Sequence, residues 1–168
     1  MINLEEFYEA YGKSLATRLA AIGYTEANGR FVFVDDVENP AELVSKAVSK
    51  FPQGVNVLIW ETFVEQLGDG GRDNYNTRIQ GTLAVVRKDG TDNVSRKLSI
   101  RTARATALKV IALMRQDGLD GELESQGIVP QFNHDGEKFI ISGGWAGYGF
   151  TFDWLVPLNM QLSDDDLV

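Results

Sequence analysis

Apolar residues recur every three or four positions from 3 to 22. Leu4, Phe7, Tyr8, Tyr11, Leu15, Leu19 and Ile22 fall on one face, which predicts an amphipathic helix. Asn3 is the expected cap, Glu6 completes a capping box, Ile2 and Phe7 suit a hydrophobic staple, and Gly23 is the expected stop. RFVFVDDV at 30–37 reads as a short strand. Asn39-Pro40 opens a second helix running to 51, with Pro40 in its first turn and Leu43, Val44, Ala47 and Val48 on one face. VNVLIWETFV at 55–64 and YNTRIQGTLAVVRK at 75–88 are rich in β-branched and aromatic residues. They predict a long antiparallel hairpin with its tip over 67–74. A third helix is expected over 95–118, with Ser95 as cap and Gly118 as stop. Its stripe is Ile100, Ala103, Ala107, Val110, Ile111 and Met114. The last third reads as a meander of strands at 127–133, 137–142 and 150–158, with Asp135-Gly136 as a hairpin signal. Residues 162–168 are acidic and expected to fray. This order predicts one α+β domain. Its antiparallel or mixed sheet is packed by the N-terminal helix and the long central helix.

The glycines of GGWAGYG, at 143, 144, 147 and 149, invite comparison with a phosphate-binding loop. A dinucleotide loop needs G-x-G-x-x-G between a strand and a helix. Here Gly144, Gly147 and Gly149 have the reverse spacing, and a strand pattern follows: Phe150, Phe152, Trp154, Val156 and Leu158 alternate onto one face. No Lys-Ser or Lys-Thr pair makes a P-loop. The segment reads as a turn or bulge between strands.

Composition narrows the chemistry. The 168 residues hold no cysteine, which removes disulfides, thiolate nucleophiles and cysteine-ligated metals. His134 is the sole histidine, beside a predicted turn, and is expected to be an ordinary exposed turn residue. Asp35, Asp36 and Glu38 cluster after the first strand, and Asp69 and Asp73 lie at the hairpin tip. Neither cluster matches a calcium loop, and both read as solvated. No cofactor and no catalytic residue is expected. No segment has the apolar length of a membrane span, and MINLEEFYEA lacks a signal-peptide pattern, so a cytoplasmic protein, as made, is expected.

Charge adds one distinct feature. Net charge is −8. Residues 95–116 hold Arg96, Lys97, Arg101, Arg104, Lys109 and Arg115 and no acid, so with +6 here the remainder carries −14. Lys97, Arg101 and Arg104 share a face at i, i+4 and i+7. Three readings stay open: a solvated face neutralised by acidic loops of the same chain, a contact with an acidic surface of another subunit, and a nucleic-acid contact. The acidic balance argues against a protein whose main task is binding a phosphate backbone, and no sequence-specific nucleic acid is expected.

The order and length of these elements resemble those of tail-terminator (tail-completion) proteins of tailed bacteriophages and related prophage elements. LEEFYEAYGKSLATRLAAIG supplies the first helix, VNVLIWETFV and YNTRIQGTLAVVRK the hairpin, RTARATALKVIALMRQ the long helix, and FTFDWLVPL a closing strand. The helix at 40–51 is not a feature the family requires. The resemblance implies a ring, usually a hexamer, that caps the tail tube and meets the head connector without a cofactor. It implies a particle location once assembled. Arg96, Lys97, Arg101 and Arg104 on the helix, and Asp69, Arg72 and Asp73 at the hairpin tip, are then the candidate subunit contacts. Two other classes stay open: a monomeric acidic binding or immunity-type module, and a small enzyme gathering Asp35, Asp36 or His134.

Overall fold

The structure is a computed structural model that describes residues 3–35, 38–69, 75–131 and 133–158. In chain order it contains α1 (Leu4–Arg18), β1 (Phe31–Val34), α2 (Pro40–Val48), β2 (Val57–Asp69), β3 (Tyr75–Arg87), α3 (Asn93–Leu119), β4 (Val129–Gln131), β5 (Gly136–Ile140) and β6 (Ala146–Leu158). The architecture is α+β, with a mixed sheet in the order β1-β2-β3-β6-β4 and with β5 also paired to β6. Among the described residues only β1–β2 is a parallel pair; the other pairs are antiparallel.

Each sheet face has its own core. On the first, α1 and α3 cover Leu58, Trp60, Ile79, Leu83, Phe152 and Trp154. On the second, α2 covers Val32, Val34, Val57, Ile59 and Val86 with Val44 and Val48. A bulge between Glu61 and Val64 in β2 reconciles the sheet with α1. The extra residue shifts strand parity, so Trp60 and Phe63 both face Tyr8, at ring-centroid separations of 5.2 and 5.0 Å. The Tyr8 hydroxyl donates to the Glu61 carbonyl at 2.7 Å and fastens the helix to the bulge.

Helix ends differ from the sequence expectation for local reasons. The Asn3 carboxamide accepts from the Glu6 N–H, as expected of a cap, and Ile2 lies outside the described residues. α1 stops at Arg18 because Leu19 is extended. Ile22 still reaches the core, because the following turn folds back with Gly23 N–H bonded to the Leu19 carbonyl. α3 begins at Asn93, not 95: Asp92 caps it, accepting from the Val94 and Ser95 N–H groups at 2.9 Å each. It runs through Gly118 to Leu119.

The C-terminal third is not a simple meander. β4 and β5 lie end to end along β6, pairing with 153–155 and 146–150 respectively. Asp135-Gly136 therefore marks an interruption within one edge, not a hairpin, and the Thr151 N–H bonds to the Asp135 carbonyl there. The hairpin is β5–β6, closed by Ile141 N–H to the Trp145 carbonyl at 2.8 Å, with Gly143 and Gly144 at φ +75° and +85°. The remaining glycines of the segment are strand residues. A Cβ on Gly147 would stand 2.3 Å from the Val85 carbonyl oxygen, so the side chain is excluded by close strand approach, not by a turn.

Candidate functional site

The outer face of α3 is the first surface that the fold leaves uncovered. Its inner face packs Ala103, Ala107, Val110, Ile111 and Met114 on the sheet, as the stripe predicts, although Ile100 is only half-buried. Ser99 is buried and anchors the helix N-terminus: its hydroxyl donates to Asp89 at 2.9 Å and accepts from the Asp89 N–H at 3.0 Å. Arg87 pairs with the same carboxylate at 2.8 Å. Those contacts fix the rotation of the helix and hence which residues point outward.

The outward residues are basic and apolar together. Lys97, Arg101, Arg104 and Lys109 are exposed. None of them forms an ion pair among the described residues. Arg104 lies over the Tyr148 ring at 5.5 Å. Arg96 is half-buried, held weakly by Asn93 and the Thr91 carbonyl at 3.4 Å each. Between these charges runs an exposed stripe of Val94 (78% exposed), Leu98 (50%), Ala105, Leu108 (39%) and Ala112. With Arg101 among them, their spacing repeats steps of three and four, so they form a single ridge. The ridge is not apparent in the sequence because the stronger inner stripe follows the same steps.

The charges are not arranged for helix stability. The macrodipole favours acids in the first turn and bases in the last. α3 has neither there, and Arg96 and Lys97 stand near its positive end, with Asp92 as the compensating acid.

The second surface is a groove of about 980 Å³ on the opposite face of the sheet, between α2 and β5. Its floor is Ile59, Ala84 and Gly149, and its walls include Val44 and Phe139. Four acids line it, Glu42, Glu61, Asp135 and Glu137, with no lysine or arginine. Glu42 is also paired with Lys46 at 2.7 Å. Burial raises the Glu61 carboxyl above the ordinary glutamate range. One end is tied by the Ser45 and Ser142 hydroxyls, 2.6 Å apart.

Compared with known proteins, the sequence matches no family model and no curated protein. The surfaces themselves must therefore carry any functional reading.

The structure separates the other sequence-predicted residues. Arg72 and Asp73 lie outside the described residues, as do Asp36 and the side chain of Asp69. Asp35 and Glu38 are exposed and do not line the groove. His134 is half-buried, correcting the expectation of an exposed turn residue, because the β4–β5 interruption presses it on β6. Its Nδ1 lies 3.1 Å from the Thr151 carbonyl, and burial lowers its pKa. Among the described residues no three histidine, aspartate or glutamate side chains gather as a metal site requires. No described helix is long and apolar enough to cross a membrane.

Proposed function

We propose that this chain is a structural subunit of a phage or prophage tail, of the tail-terminator type, that works as a ring at the tail–head joint and carries out no catalysis. The observation that carries the reading is the outer face of α3: an apolar ridge that carries Arg101 and is edged by Lys97, Arg104 and Lys109, without an ion pair for those four among the described residues. A ridge of this kind is costly to leave in water and suits an obligate neighbour. The element order of N-terminal helix, hairpin, long helix and closing strand supports the same reading, as fold-level analogy. The partners are further copies of the chain and other tail or connector proteins.

The reading predicts location as well as assembly. Immunogold labelling of tail particles from cells that carry the gene should mark one end of each tube, at the head joint. Label spread along the tube, or no label on purified particles, would reject it.

A further inference from the structure

We infer that the groove between α2 and β5 receives the outer face of α3 from a second copy of the chain, so that copies join head to tail. This rests on the ring reading above and specifies its contact. The occupant follows from chemistry on both sides. The groove offers an apolar floor, Ile59 and Ala84, beneath Glu42, Glu61 and Glu137. The helix offers an apolar ridge, Leu98 and Leu108, with Arg101 on it and Lys97 and Arg104 along its edge. Each surface supplies the sign of charge the other lacks, which is the pattern that orients docking and rejects wrong partners.

Size agrees with this mode. A volume of about 980 Å³ is enough to accept several side chains. In the proposed contact the helix lies against the groove and inserts its ridge, with Leu98 and Leu108 toward the floor. Arg101, which lies on the ridge between them, is carried in with it toward Glu61. A half-buried Glu61 gains a cation at the point where water is least able to solvate it.

Geometry dictates the symmetry. α3 packs on one face of the sheet and the groove opens on the other. One pair related by a two-fold axis cannot seat both helices in both grooves. Each copy keeps one free helix and one free groove, so the contact is heterologous and propagates; under the ring reading above its rotation closes, whereas an unclosed rotation would give a filament.

Charge exchange tests this contact. One variant carries Arg101→Glu and Arg104→Glu; a second carries Glu42→Arg and Glu137→Arg. All four side chains are exposed, so circular dichroism should match the parent, and melting should fall only slightly where Glu42 leaves Lys46 and Arg104 leaves Tyr148. Each variant alone should self-associate roughly tenfold to a hundredfold more weakly, because like charges now face each other. Mixing the two should restore assembly, since every acidic helix then finds a basic groove and every basic helix an acidic one. A single chain carrying all four changes should also assemble, which provides a second readout if one variant folds poorly. Normal assembly of the groove variant, or no rescue on mixing, would overturn the docking mode while leaving ring formation intact. A parent that stays monomeric at every concentration would overturn both. Weakened variants with full rescue would establish the contact.

Discussion

Trp60→Ala is expected to cost about 3–5 kcal/mol, the range for removing a large aromatic from a core. Trp60 has no exposed surface and joins both helical and sheet contributions to the first core. Its ring lies 5.0 Å from Phe152, 5.2 Å from Tyr8 and 6.4 Å from Tyr11. Tyr8 and Tyr11 in turn reach Trp154, at 5.8 and 5.4 Å, so the cluster is continuous from β2 to β6 through α1. For a chain of this length each kcal/mol shifts Tm by about 2–4 °C, so a fall of roughly 6–20 °C should appear on thermal melting. Trp60→Phe should cost less than alanine. It keeps ring contacts and removes an indole N–H that is buried without a partner among the described residues. A loss below about 1 kcal/mol for the alanine variant would mean the cluster is not the keystone of the fold.

Asp117→Ala is expected to cost about 3 kcal/mol, at the lower end for breaking a buried pair. The carboxylate lies near the C-terminus of α3 and is 3% exposed. It accepts from the Tyr11 hydroxyl at 2.7 Å and from both terminal nitrogens of Arg18, at 2.9 and 2.5 Å. These contacts pin α1 to α3. The lower end applies because Arg18 is 36% exposed and regains water when unpaired. Burial pushes the Asp117 carboxyl up, but Arg18 and Tyr11 outweigh it and hold the pKa below the ordinary aspartate value. The folded pKa is thus depressed. The stabilisation is complete above the unfolded value of about 4 and is lost as pH falls through the lower folded value. Urea midpoints for parent and variant should therefore differ by a constant amount from pH 7 to 5 and converge below about pH 4. His134, whose lowered pKa makes stability decline below about pH 6.5, acts in both proteins and cancels in the difference. A gap unchanged down to pH 2 would contradict the role given to Asp117.

Much of this fold was legible because periodicity is a local property. The steps of three and four in α1, and in the inner stripe of α3, survive as buried faces. Alternation from Phe150 to Val156 survives as the first-face side of β6. Pairing along the C-terminal edge was not legible. Asp135-Gly136 has hairpin chemistry, yet β4 and β5 both find a better partner in β6, and nothing local distinguishes an interrupted edge from a turn. The groove was invisible for a related reason. Ile59, Ala84, Phe139 and Gly149 come from four different strands and meet only after the sheet forms. Acid counting drew attention to Asp35, Asp36 and Glu38, whereas the acids that share a concave surface are Glu42, Glu61, Asp135 and Glu137. The basic helix was legible as charge, but its exposed ridge was hidden behind its own inner stripe. Val94 and Leu98 become informative only once Ser99 and Ala103 are known to face inward.

The proposed assembly depends on two unlike surfaces on opposite sides of one sheet. Light scattering across a concentration series, with negative-stain images of the same fractions, tests this most directly. The expected result is a mass that rises to a fixed multiple of 18.6 kDa and closed rings of uniform diameter. A strict monomer at every concentration, or a symmetric dimer that grows no further, would contradict it.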